Sequence, residues 1–292
     1  MTSINTLVED MNRVLTPSEE GGVADVVLGN FAERITGHVR DTLELRETRQ
    51  REPKVLYASE VGESCIRKLR YRLSNQAQED IPPHTHFKFL YGDVLEEVSL
   101  LLAEAAGHVV TNPQMKVSVK VGDWEVRGRQ DAEIDGVPID VKSMSTYGFN
   151  ALSDDLDLYE DSWGYVDQVS FYRNFGPSEN EHVGILGIDK TLGHIKLSIG
   201  SGKDKATQSQ QIQTIIETLD RDGDPTRGYA EVPEGSSGNM RLGFQCSYCP
   251  FKQQCWADSN DGAGLRTFIY AKGPVYYTDV VRLPRVPEVS YA

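Results

Sequence analysis

Residues 128–143 read Gly-Arg-Gln-Asp-Ala-Glu-Ile-Asp-Gly-Val-Pro-Ile-Asp-Val-Lys-Ser. An Asp-Gly pair, here Asp135-Gly136, between apolar-alternating runs is a strong local signal for a β-hairpin. Side chains at i and i+2 of a strand share a face, so Asp140 and Lys142 project together and Val141 projects into the opposite layer. Pairing across the hairpin brings Asp131 to the same end. Two carboxylates held close repel unless a cation lies between them, and a hard divalent metal with oxygen ligands supplies that cation. Such an ion polarises a phosphoryl oxygen and acidifies bound water. A neighbouring lysine orients that water or stabilises developing negative charge. The structural alternative is a surface hairpin carrying an Asp–Lys ion pair, which contributes little.

Working outward, 292 residues suit one large domain or two small ones. No apolar run approaches the length of a membrane span. The N-terminal stretch lacks a basic segment followed by an apolar one, so no signal peptide is expected and cytoplasmic residence is. The net charge of −14 and pI near 4.9 argue against broad nonspecific duplex binding. Local basic clusters exist nonetheless: Arg46, Arg49, Arg51 and Lys54, then Arg67, Lys68, Arg70 and Arg72. Each could equally be a solvated helix face. No Gly-x4-Gly-Lys-[Ser/Thr] occurs, so any DNA unwinding needs a partner.

Helical spacing of apolar residues predicts helices over 4–15, 30–47, 87–106 and 205–221. A shorter helix opens at Glu63 or Ser64 and carries Cys65 in its first turn. Residues 74–85, with Pro82-Pro83, read as a loop, and a solvent role is expected for His84 and His86. Alternation predicts strands over 109–121, 124–129 and 137–143, forming one antiparallel meander. Residues 147–175 read as largely helical, and Gln168 and Tyr172 share a face of the last part. Strands follow at 182–189 and 194–199. A Gly/Pro/Ser-rich loop occupies 222–242, and an extended tail 272–292. The order of strands and helices indicates an α/β or α+β sheet core.

Three of the four cysteines stand as Cys246-x2-Cys249-x5-Cys255, and Cys65 is the only other. Four thiolates suit an iron–sulfur cluster or a tetrahedral zinc, and the spacing leaves both open. Either would act as a structural clamp.

Taken together, these features resemble the PD-(D/E)XK nuclease superfamily, in its RecB-like branch with a four-cysteine iron–sulfur cluster, a branch that includes phage and CRISPR-associated exonucleases. The resemblance covers roughly residues 57–260. It rests on Cys65, on Gly92 to Glu96 as Gly-x-x-x-acid, on Gly128-Arg-x-Asp131, on Asp140-Val-Lys142, on Gln168-x-x-x-Tyr172 and on the three later cysteines. Many members have His where Glu96 stands, Glu97 is an alternative to it, and Asp140 replaces a commoner Glu. The resemblance implies a restriction-endonuclease-like central mixed β-sheet flanked by helices, with an N-terminal helical region over 1–56, a nuclease core over 57–260 with a cysteine staple, and a tail over 261–292. It implies Mg²⁺ or Mn²⁺ on Glu96, Asp131, Asp140 and the Val141 carbonyl, with Lys142 acting on the attacking water. It also implies a 4Fe-4S cluster on Cys65, Cys246, Cys249 and Cys255. DNA contacts would come from Gln168, Tyr172, Arg67, Lys68 and Arg70. The expected activity is a metal-dependent DNA exonuclease on ends or single strands, in recombination, repair or replication, in a bacterial or phage-infected cell, with a helicase or recombination partner. The alternatives are a non-catalytic DNA-binding scaffold and a structure-specific endonuclease.

Overall fold

The computed structural model describes residues 2–16, 22–44, 51–79 and 82–289. Among them the chain divides into two compact units, residues 1–63 with 81–217 and residues 64–80 with 218–292.

The first unit opens with helices α1 (Leu7–Leu15) and α2 (Asp25–Glu44) and strand β1 (Val55–Tyr57). Helix α3 (Ile66–Leu73) belongs to the second unit. The first unit resumes with helix α4 (Pro83–Ala105) and strands β2 (Val110–Thr111), β3 (Lys116–Val121), β4 (Trp124–Arg129), β5 (Ala132–Ile134) and β6 (Val137–Met144). Helices α5 (Thr146–Ala151) and α6 (Tyr165–Phe175), strands β7 (Val183–Asp189) and β8 (Ile195–Gly200), and helix α7 (Lys205–Asp220) as far as Glu217 complete it. The predicted loop over 74–85 is shorter than its prolines suggest. Pro83 takes the first helical position of α4, where its missing N–H costs nothing, so His84 and His86 lie on that helix. The helix predicted over 30–47 begins earlier, at Asp25. Residues 45–50, with Arg46 and Arg49, lie outside the described residues.

The expected meander divides in two. Strands β1, β4 and β3 form one mixed sheet, with β1 parallel to β4. Strands β2-β5-β6-β7-β8 form another, antiparallel except for the parallel β6–β7 pair. The chain leaves the first sheet at Gln130-Asp131, where Gln130 N–H donates to the Met115 carbonyl and Gln114 N–H to that of Asp131. The β5–β6 hairpin turns on Asp135 and Gly136, both at positive φ (50° and 80°). That pair is the signature of a type I′ turn, whose twist matches the strands it joins.

Strand β7 is buried along its whole length, which is why it reads as a continuous apolar run. Ile139 and Val141 of β6 pack with Leu186 of β7, Leu7 and Met11 of α1, and Leu100 and Ala103 of α4. Met144, Val183 and Ile185 pack instead with Phe149, Leu152 and Val169 from the α5–α6 crossover.

In the second unit α3 is followed by strands β9 (Val232–Pro233), β10 (Met240–Arg241), β11 (Arg266–Tyr270), β12 (Gly273–Asp279) and β13 (Glu288–Val289). They form a five-stranded antiparallel sheet in the order β13-β11-β12-β10-β9. Within the expected tail, Gly273–Asp279 and Glu288–Val289 are therefore sheet strands, and residues 290–292 lie outside the described part. Leu242, Trp256 and Tyr276 are the apolar centre of this unit.

These observations correct the single restriction-endonuclease-like central sheet. The strands divide among three sheets, giving a mixed α/β fold with sheets flanked by helices. Among the described residues no helix is long and apolar enough to cross a membrane.

Candidate functional site

The β5–β6 hairpin and helices α4 and α6 gather the polar residues of the first unit. Asp140 is fully buried on β6. Its Oδ2 lies 2.7 Å from Lys142 Nζ, as the shared strand face predicts. Its Oδ1 has no hydrogen-bond partner. Asp131 stands one residue before β5, and its Oδ2 accepts from Val141 N–H at 2.7 Å. One peptide of β6 thus aims its side chains alternately: Val141 into the apolar core, Asp140 and Lys142 toward α6. Lys142 Nζ lies 5.2 Å from the Tyr165 ring centroid. Glu96 of α4 accepts from the Gln114 amide.

The electrostatics follow from crowding acids away from water. Burial, then the charges of Asp131, Glu97 and Asp140, push the Glu96 carboxyl up to about 9. Burial, then Asp140, push Asp131 up to about 7, although Lys142 and the Val141 N–H act against the shift. Burial raises Asp140 as well, against the pull of Lys142. Burial works against charge on Lys142, but Asp140 and Asp131 outweigh it and hold the ammonium protonated above its ordinary value. The ammonium is therefore a fixed donor at neutral pH.

Gln168 and Tyr172 of α6 come together as the i, i+4 spacing predicts, with Gln168 Nε2 donating to Tyr172 Oη at 3.2 Å. Tyr172 is buried. Burial, then the nearby Asp140 carboxylate, raise its phenol above the usual range. Gly128 lets the ring in: a Cβ there would stand 2.6 Å from Ala58 Cβ and 2.8 Å from Tyr172 Cε1.

Two residues of this region carried no functional reading in the sequence. Tyr165 sets its ring beside Lys142. His38, on α2, lies 3.4 Å from Glu97 Oε1 through its Nε2. His38, Glu96 and Glu97 are the group of potential metal-ligating residues whose ligand atoms all lie within 4.8 Å of one another among the described residues. The available sequence signal was Arg34 and His38 at i, i+4, a polar pair inside an apolar-patterned helix.

This grouping corrects the Mg²⁺ or Mn²⁺ ligand set expected from the resemblance. Glu96, Asp131 and Asp140 do not converge within that distance, whereas Glu96 and Glu97 converge with His38. The 4Fe-4S cluster, and zinc as its alternative, are corrected too. Cys65, Cys246, Cys249 and Cys255 lie in the second unit and form no disulfide, and no three of their sulfurs lie within 4.8 Å of one another. They do sense one another: burial, then Cys249, Cys65 and Cys255, push the Cys246 thiol up to about 11. Cys65 caps α3 instead of sitting in its first turn. Arg67 donates through Nε to the Pro225 carbonyl at 2.6 Å and through Nη1 to Cys255 Sγ at 3.9 Å. Arg70 donates to the Arg221 carbonyl. Arg67, Lys68 and Arg70 all lie in the second unit.

No family model and no curated protein matches the sequence. The PD-(D/E)XK, RecB-like assignment is therefore withdrawn, on this finding and on the His38–Glu96–Glu97 grouping. Among solved structures, the chain is similar to one titled "Crystal structure of SSO0001", at 16% identity and a TM-score of 0.45, over 74% of this chain and 92% of that one.

Proposed function

We propose that the first unit is a divalent-cation-dependent deoxyribonuclease that hydrolyses phosphodiester bonds at DNA ends or in single strands, serving recombination, repair or replication. One observation carries the reading: Asp140 is a fully buried carboxylate with one oxygen on Lys142 and the other without a partner. A buried acid left half-satisfied is costly, and a cation at the open oxygen removes that cost. Asp140 offers that oxygen, while Glu96, which the expected set placed with it, groups with His38 and Glu97. When bound, the cation polarises a phosphoryl oxygen and lowers the pKa of a coordinated water.

The chain's own residues supply the rest. Lys142, kept charged by its two carboxylates, donates to the attacking water or to the phosphoryl oxygens as negative charge grows on them. The water oxygen bonds to phosphorus and gives up a proton, the P–O3′ bond breaks, and the departing 3′ oxygen takes up a proton in its place. The Tyr165 ring, 5.2 Å from the ammonium, holds it by a cation–π contact. Tyr172 is too buried to meet DNA broadly, so it positions Gln168, the more accessible partner of the pair.

The test uses end-labelled linear single-stranded DNA and circular single-stranded DNA, with divalent cations or with EDTA. Label release from the linear substrate that needs a cation and is lost in Lys142→Ala supports the reading. Cutting of the circle reassigns the protein to the endonucleases. Binding without cleavage by a folded wild type overturns the catalytic reading.

A further inference from the structure

Helices α2 and α4 pack together in the first unit. Each presents polar groups to the other inside that packing. Arg34 and His38 lie one turn apart on α2 and so face the same way. Opposite them on α4 stand Glu96, Glu97 and Glu104. Arg34 Nε donates to Glu97 Oε2 at 2.7 Å, and its two terminal nitrogens donate to Glu104 at 3.2 and 3.0 Å. This fork fixes the Glu97 carboxylate by one oxygen.

The other oxygen is left over. Glu97 is 0% exposed and His38 8%, yet neither Glu97 Oε1 nor His38 Nε2 makes a hydrogen bond. They face each other at 3.4 Å, a long ion-pair contact with no hydrogen bond between them. Buried polar atoms are almost always hydrogen-bonded, so two that meet only in a long contact leave room at one point for a third body. A ligand atom of Glu96 lies within 4.8 Å of both.

We infer that His38, Glu96 and Glu97 form a binding site for a divalent first-row transition ion, separate from the Asp131–Asp140 pair. The chemistry of the donors selects the ion class. One imidazole nitrogen with carboxylate oxygens suits manganese, iron, cobalt or zinc, whereas magnesium and calcium take oxygen ligands. Bonds of about 2.0–2.2 Å place two ligands of one ion roughly 3–3.6 Å apart, and the His38–Glu97 separation fits that geometry. Arg34 has the part of an outer partner that orients a ligating carboxylate. Because Glu96 also feels Asp131 and Asp140, an ion here stands beside the hairpin acids without depending on their catalytic role.

Mn²⁺ is the probe, since its free and bound forms are counted separately by electron paramagnetic resonance. Pulsed spectra of the full-length wild type with one equivalent of Mn²⁺ should show nitrogen coupling from one imidazole. Asp140→Asn should keep that coupling. His38→Gln, checked for folding by circular dichroism, should lose it and weaken Mn²⁺ binding by at least about tenfold. Three outcomes overturn the site: no bound Mn²⁺ in the wild type, an oxygen-only spectrum, or nitrogen coupling that survives His38→Gln. The wild-type spectrum decides the matter even if a variant fails to fold. Loss of cleavage with the nitrogen signal intact would fault the nuclease reading and leave this site standing.

Discussion

Asp140 in the first unit and Glu234 in the second are both carboxylates drawn inward, and their surroundings differ completely. Glu234 accepts from the hydroxyls of Tyr277 and Tyr270, from Asn239 Nδ2 at 2.9 Å and from Ser237 Oγ at 3.1 Å. Burial works against its charge, yet the donors, Tyr277 foremost, hold its pKa below the usual value. Asp140 has one ammonium and one open oxygen, and its pKa is raised. A carboxylate ringed by fixed donors is a strut of the fold. One left half-satisfied costs stability and keeps a place for something to bind.

The sharpest way to break this contrast is to neutralise each. Asp140→Asn and Lys142→Ala should each lower cation-dependent DNA cleavage by about 10²–10⁴-fold, measured as label release at saturating cation. Glu234→Gln should leave cleavage unchanged; a comparable loss there would erase the distinction. On the stability side, Gly128→Ala should cost roughly 1–3 kcal/mol in urea unfolding, because its Cβ meets Ala58 and Tyr172 inside van der Waals distance. Tyr277→Phe removes one donor from Glu234 and should cost about 1 kcal/mol, read in the same experiment as a shift of the second unit's transition.

The smallest effect is a difference in pH slope. The folded-state values of Asp131 (about 7) and Glu96 (about 9) lie above those of free carboxyls. Between the unfolded and folded values the folded chain binds more protons, so stability falls as pH rises. In EDTA the first unit should therefore lose melting temperature from about pH 4 upward, through 7 and on toward 9. Glu234 has the opposite sign. Its contribution is present above the unfolded carboxyl value and is lost as pH falls through the folded one. Melting curves in EDTA that rise with alkalinity for the first unit would contradict the electrostatics of the hairpin.

What the sequence disclosed was local. Asp135-Gly136 encodes its own turn, and the i, i+2 and i, i+4 rules place Asp140 by Lys142 and Gln168 by Tyr172. What it hid was non-local. Nothing in Val55–Tyr57 announces a parallel pairing with Glu125–Arg127, so the split of the meander into two sheets was invisible. Pro274 and a weak alternation concealed β12, yet its residues pair along β11 from Arg266 to Tyr270. His38 was silent because its partners lie on another helix. The cysteine spacing suggested a cluster, but spacing along a chain does not fix distance between sulfurs.

Strand β6 has a local neighbour on one side, β5, and a remote one on the other, β7, reached only after the crossover through α5 and α6. Hairpins close in microseconds, whereas parallel pairing waits on the closure of a long loop. The pairing that brings Asp131 near Asp140 is thus local, whereas β7 and α6, which cover Asp140, come from farther along the chain. Closing the parallel β6–β7 pair must then take two acids out of water together, and divalent cations in the refolding buffer should speed that closure, read by stopped-flow fluorescence.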